Sequence, residues 1–235
     1  MDDNDATVIT LKSRQRLVNR RGAATRSRLL EAAVGCLARL GYAATTIEAV
    51  MVAAEASRGS VLHQFPTRLD LMEAAADSAM HRMLADFQSR LDEVADPAAR
   101  LTRIPDIAWG VQNEAAAFAV SEILLAARWD RALAERLRPV AERIDRELDA
   151  YFTEVARQAG VGRPAEIVAP MRLMISSLRG LTIELMFDSL RPTILKALEI
   201  LKSNHLVLID ASLRPVERAA MRRVIRHKAK SVIVK

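Results

Sequence analysis

A single cysteine, Cys36, stands in a chain of 235 residues. It cannot form an intramolecular disulfide, which excludes a stapled scaffold and fits a reducing compartment; on the apolar side of a helix it reads as a small buried filler. Only eight glycines and eight prolines are present, and β-branched alternation is missing too, which argues against a β sandwich or barrel. No apolar run reaches membrane-spanning length, since the best stretch, IVAPMRLMISSLRGLTIELMF, is interrupted by Arg172, Arg179 and Glu184. The first ten residues, MDDNDATVIT, are acidic and lack the basic-then-apolar order of a secretory signal. The expectation is a cytoplasmic protein. The chain also lacks a phosphate-cradling glycine loop, a nucleophile elbow and a dinucleotide fingerprint. His63, His81, His205 and His227 are scattered, and the Asp77–His81 pair, the only spacing resembling a metal half-site, reads as a surface hydrogen bond. No enzymatic activity, cofactor or metal is expected.

What is present favours helices. Hydrophobic residues make up 51% and charged residues 27%, enough for a core and a polar surface, and alanine and leucine lose little entropy on entering a helix. The expected fold class is all-α. A net charge of +6 leans toward phosphate-rich or acidic partners, and its placement says more than its sum. Lys12, Arg14, Arg16, Arg20, Arg21, Arg26 and Arg28 form an acid-free stretch ahead of residue 30. A second cluster, Arg218 to Lys230, is either a solvated tail or a contact surface.

Residues 1–21 read as a flexible arm. A helix is expected from near Thr25, with Leu29, Leu30, Ala33, Val34, Leu37 and Leu40 on one face and Gly41 as its stop. Thr45-x-x-Glu48 and Thr67-x-x-Asp70 are capping-box patterns opening two further helices. The second should run to about Asp92. Beyond it, helices are expected near 98–110, 111–127, 130–158, 165–188 and 192–209, with Pro105 and Pro139 ending or kinking theirs. This gives an N-terminal three-helix domain at 22–82, a second helical domain at 83–212 and a basic extension at 213–235.

Between the two capping signals lies TTIEAVMVAAEASRGSVLHQFPT. Its length invites a helix-turn-helix, with Val50, Ala54, Ala56, Val61 and Phe65 turned inward. Thr45, Thr46, Ser57, Arg58, Ser60 and His63 are then left facing out. That set suits double-stranded DNA: hydroxyls hold phosphate oxygens, arginine grips guanine in the major groove, and Gly59 permits close approach.

The Gly-Tyr-x-x-Thr-Thr lead, Ser-Arg-Gly-Ser, His-x-Phe-Pro and the charged start of the next helix occur in order over about residues 22–82. In this the chain resembles the tetracycline-repressor (TetR) family. The resemblance implies a recognition helix at about 57–63. It implies phosphate contacts from Thr46, His63 and Arg68, and base contacts from Arg58, Gly59 and Ser60. Arg20, Arg21 and Arg26 would follow the backbone or an adjacent minor groove. Three positions depart from the family pattern. Glu55 stands where glycine is usual and would have to adopt a left-handed conformation, at roughly 1–2 kcal/mol. Leu62 replaces a tyrosine, and Met51 a smaller residue.

In the second domain Trp109, Phe118, Trp129, Phe152, Met171 and Met174 either line an apolar effector cavity or are plain core. Arg172 and Arg179 meet either an anionic ligand or Glu166, Glu184 or a partner subunit. Ile175, Leu178, Leu181 and Leu185, with Ile194 and Leu198, give the last two helices apolar surface beyond one stripe, which the resemblance assigns to a four-helix homodimer interface. The function so read is a DNA-binding regulator, a ligand-responsive repressor on a palindromic operator, taking a small apolar or amphipathic effector and no membrane. The alternative is a helical dimeric interaction protein with weak, largely non-specific DNA binding.

Overall fold

A computed structural model describes residues 3–213; for Arg21 and the residues before Arg20 only the backbone is described. The second basic cluster and nearly all of the expected C-terminal extension lie outside the described residues. Leu213, its expected first residue, is buried and bridges to Val161.

Nine α-helices and one 3-10 turn make up the regular structure of the described residues: α1 (Asp3–Ala44), α2 (Ile47–Ala53), α3 (Arg58–Gln64), α4 (Arg68–Asp92), α5 (Pro97–Gln112), α6 (Ala115–Ala127), α7 (Arg131–Gln158), the 3-10 turn Pro164–Ile167, α8 (Val168–Leu185) and α9 (Pro192–Ser212). The fold is all-α, as the composition requires. One expectation fails and another is narrowed. The chain is helical from Asp3, where an arm was expected, since no glycine interrupts the sequence before Gly22 and no proline before Pro66. Pro105 and Pro139 do not end their helices, since α5 and α7 continue through them. Pro105 is itself buried, as are Ile104 and Ile107.

The chain divides into two compact units. Unit 1 comprises residues up to Met80 together with Phe118–Arg138. Its core joins Leu29, Ala33, Val34 and Leu37 of α1 to Val50, Val61, Phe65, Leu71 and Met72, all almost wholly buried. Cys36 is buried here as a free thiol, pushed up in pKa by burial. The membership of 118–138, assigned from chain order to the second domain, has a physical basis. Ile123, Leu133 and Leu137 are buried. The Tyr42 N–H donates to Glu122 Oε2 at 3.1 Å and its hydroxyl to Asp130 Oδ2 at 3.3 Å. Arg136 donates to Glu73 at 2.7 Å and Asp70 at 3.1 Å.

Unit 2 comprises His81–Ala117 and residues from Pro139 onward. Phe87 meets Phe152 edge-on at 5.8 Å, within a core that includes Leu101, Ile104, Met171, Met174, Leu178, Leu198 and Ile209. Buried His205 of α9 donates from Nε2 to the Leu101 carbonyl at 2.7 Å.

This core absorbs several residues expected elsewhere. Phe152, Met171 and Met174 are packed inside it, and Trp109 packs half-buried against it. Phe118 is half-buried in unit 1, and Trp129, in the same unit, is 82% exposed with the Arg128 guanidinium 4.9 Å from its ring centre. Trp129 therefore lines no cavity. An open cleft in unit 2 is lined by other residues, among them Val161, Arg163, Ile167 and Leu208. Of the expected interface positions, Leu178 and Leu198 are buried within the chain and so unavailable to a partner. Ile175 and Leu181 pack against the same core, while Leu185 and Ile194 are half-buried. The large side chains that α8 and α9 leave exposed are instead Leu173, Leu195, Ile200 and Val207. Helical spacing marks an apolar stripe but not which of its edges the chain itself covers.

Candidate nucleic-acid interface

The helix-turn-helix follows a break in the helical backbone of α1 at Gly41. Gly41 adopts φ 79°, and a side chain there would press on Glu122 Oε2 at 3.1 Å from its Cβ. Thr46, not Thr45, caps α2: its hydroxyl accepts from the Ala49 N–H at 3.1 Å. Thr45 is fully buried and donates to the Gly41 carbonyl at 2.7 Å. It was expected to face outward and does not; its hydroxyl is spent closing the α1 end.

α2 ends at Ala54, and Glu55 turns the chain with φ 49°. The turn is closed by N–H bonds from Glu55 to the Val52 carbonyl at 3.2 Å and from Ala56 to Met51 at 3.0 Å. A glutamate thus holds the left-handed position that its place in the sequence demanded. Ser57, in extended conformation, then caps α3 by accepting from the Ser60 N–H at 3.2 Å. Val50, Ala54, Val61 and Phe65 are buried and hold the pair of short helices together, with Ala56 half-buried. The inner face is the one expected.

On the other side of α3, Ser57, Arg58, Gly59 and His63 are exposed and Ser60 half-exposed. Gly59 has φ in the ordinary helical range, and a Cβ on it would meet nothing within 4 Å. This row is a donor-rich strip on a capped helix whose opposite side is buried.

Three other basic residues behave differently. Arg26 lies 4.4 Å over the Phe65 ring and donates weakly to the Gln64 carbonyl at 3.4 Å, bracing α1 against the end of α3. Arg68 turns inward, Nε donating to the Thr45 carbonyl at 2.9 Å and Nη2 to that of Tyr42, with its guanidinium 4.2 Å from the Tyr42 ring centre. Expected as a phosphate contact, it instead caps the α1 terminus, whose carbonyls lack helical partners. Arg20 is exposed on α1, and the side chain of Arg21 lies outside the described residues.

Arg58, the expected base reader, is paired. Its Nη1 lies 2.5 Å from Glu48 Oε1, both side chains being largely exposed. Glu48 is held below the usual carboxylate range, first by its own backbone N–H and then by Arg58. Glu48 was read only as part of a capping box. Its separation from Arg58 matches no helical repeat, so no periodic signal marks the pair. Among the described residues no group of three or more His, Cys, Asp or Glu could hold a metal ion, and no helix is long and apolar enough to cross a membrane.

Residues 29–75 match the family described as bacterial regulatory proteins, tetR family. The chain is 28% identical over 181 residues to the HTH-type transcriptional regulator CymR of Pseudomonas putida, covering 74% of this chain and 85% of that protein. It is 33% identical over 121 residues to an uncharacterized HTH-type regulator of Mycobacterium bovis, covering 49% of this chain and 60% of the relative. Solved structures agree in fold. A transcriptional regulator from Rhodococcus sp. superposes with a TM-score of 0.61 at 21% identity, over 78% of this chain and 95% of that one. A TetR transcription regulator from Haloarcula marismortui gives 0.59 at 21% identity, over 82% and 100%.

Proposed function

The chain belongs to the tetR family of DNA-binding transcriptional regulators, and from that premise we propose that it is a ligand-responsive repressor acting in the cytoplasm as a homodimer on a palindromic operator. The observation that carries the DNA-reading part is the row Ser57, Arg58, Gly59, Ser60 and His63, raised on a capped helix whose opposite side is buried through Val61. Arg58 and Ser60 meet base edges, with Gly59 allowing the helix close to the groove floor; Thr46, Ser57 and His63 hold phosphate oxygens. Arg20, exposed on α1, and Arg21 extend the contact along the backbone.

Two copies are needed to read a palindrome, since each recognition helix covers one half-site. The exposed apolar side chains of α8 and α9, with Leu173 69% and Val207 70% exposed, favour these helices as the surface that a second copy covers. A small apolar or amphipathic effector bound in unit 2 shifts operator affinity by preferring one arrangement of the dimer.

The test is selection of bound fragments from the source genome, followed by affinity measured against salt on the selected and on unrelated duplexes. A repressor of this kind gives a palindromic consensus and a specificity ratio of about 10³ or more. Equal affinity for all sequences, with the salt slope unchanged among them, would leave a helical interaction protein with electrostatic DNA binding only.

A further inference from the structure

α8 carries two arginines seven residues apart, Arg172 and Arg179. That separation puts both on one face of the helix, about 10 Å apart along its axis. Arg172 is fully matched by α7: Nε donates to Asp149 Oδ1 at 2.6 Å, Nη1 to Asp145 Oδ1 at 2.6 Å and Nη2 to the Asp145 carbonyl at 2.7 Å. Arg179 is not. Its Nε is the one buried side-chain nitrogen among the described residues that lacks a hydrogen-bond partner. Asp145 is near enough to attract it, but that carboxylate is already bonded to Arg172, whose own charge opposes Arg179. An arginine remains protonated at any physiological pH. The result is a half-buried cation with an unfilled donor, a condition native chains keep only rarely.

We propose that Arg179 anchors a small organic acid: its carboxylate takes the edge of the guanidinium formed by Nε and one Nη, and its apolar body lies along α8. Arg172 shows the same chemistry satisfied by resident acids, Nε and Nη1 each taking a carboxylate oxygen. The flanking helical positions limit the ligand's charge. Ile175, one turn before, offers only apolar surface, and the Thr182 hydroxyl, one turn after, is committed to the Leu178 carbonyl at 3.0 Å. With one unmatched cation and Asp145 close by, a monoanion is favoured over a phosphate dianion. The proposal rests on the reading of unit 2 as the effector-binding part, and it names the effector's class.

The test uses the full chain without DNA, so a failure of operator binding and a failure of this assignment are separable. Octanoate and cyclohexanecarboxylate are titrated by calorimetry and thermal shift, with octanamide and cyclohexanecarboxamide as neutral counterparts. The carboxylates are expected to bind and raise Tm while the amides do not. Arg179→Met weakens carboxylate binding by roughly 10- to 100-fold, the range of a charge-assisted hydrogen bond, with Arg179→Lys intermediate. Unliganded Arg179→Met melts at or above the wild type, because the orphaned donor is gone. The proposal is overturned if neither carboxylate binds the wild type, if acids and amides bind alike, or if Arg179→Met binds as the wild type does. A large fall in the Tm of unliganded Arg179→Met would show a structural partner and overturn it as well. Weakened self-association of Arg179→Met in sedimentation, with carboxylate binding intact, would give the guanidinium to a second copy instead.

Discussion

Arg58 Nη1 sits 2.5 Å from Glu48 Oε1, so the side chain best placed to read a base is held by a carboxylate from the neighbouring helix of the same motif. In the proposed mode of binding a duplex competes with that carboxylate for Arg58. Replacing Arg58 by alanine is expected to lower the ratio of operator to unrelated affinity by roughly 10- to 100-fold, the discrimination of one bidentate guanine contact. Glu48→Gln is expected to tighten binding to every duplex while leaving that ratio intact. Titration of both variants against two duplexes checks this; weaker operator binding by Glu48→Gln would mean that the carboxylate positions Arg58 rather than competes for it.

Gly59 separates folding from recognition. Nothing lies within 4 Å of where its Cβ would stand, and its backbone is helical. Gly59→Ala should therefore raise stability, by about 0.5–1 kcal/mol, as alanine does in a helix. The same methyl group would stand between α3 and the groove floor and weaken operator binding. Denaturant melts and DNA titrations should move in opposite directions. A variant with unchanged operator affinity would remove α3 from the groove.

Glu55 is the one non-glycine residue with positive φ among the described residues, at 49°. Glycine there relieves the steric strain, offset partly by a freer unfolded chain, for a net gain of about 0.5–1 kcal/mol. Removing a carboxylate from beside a polyanion should also tighten DNA binding. Urea midpoints of Glu55→Gly and Glu55→Asn measure the first effect; a midpoint below the wild type for glycine would show that the turn stores no strain.

The helix-turn-helix was legible because its signals are local. The start of α2 was marked to within one residue, at Thr45 where Thr46 caps, and Val50, Val61 and Phe65 repeat on the buried side. The turn at Glu55, by contrast, came from the family resemblance, and the Ser57 cap was not read. What the sequence hid depends on partners far along the chain. Arg68 looks like a free basic residue until the α1 carbonyls of Tyr42 and Thr45 come within reach of it. Residues 118–138 look like part of the second domain until Glu122, Asp130 and Arg136 meet Tyr42, Asp70 and Glu73. Leu178 and Leu198 were legible as apolar, but an apolar stripe names no partner, and here the chain's own core takes them.

Arg68→Ala distinguishes the two roles of that guanidinium. Losing its two carbonyl bonds and its stacking on Tyr42 should cost about 2–3 kcal/mol of stability. Under conditions where the variant is folded, its salt slope on DNA should equal that of the wild type. A slope smaller by about 1, with stability unchanged, is the signature of a lost phosphate contact and would restore the role that the sequence suggested.

His205 gives the molecule a pH dependence whose sign follows from its surroundings. Burial pushes the imidazole below its ordinary value of 6.5, outweighing the hydrogen bond to the Leu101 carbonyl, which acts the other way. To donate to a carbonyl the neutral ring must carry its proton on Nε2. Because the folded pKa is the lower one, the unfolded chain binds more protons between the two values, and stability rises with pH there. The contribution of the neutral ring is fully present above about pH 6.5 and is lost as pH falls toward the folded pKa, by at most about 1.4 kcal/mol per pH unit. Glutamine at position 205 can donate to the same carbonyl but does not titrate. Urea unfolding at pH 7.5, 6.0 and 5.0 should therefore show the wild type losing stability relative to His205→Gln below pH 6.5. Parallel losses in the two proteins would mean that the imidazole titrates alike in the folded and the unfolded chain and contributes nothing to the pH dependence.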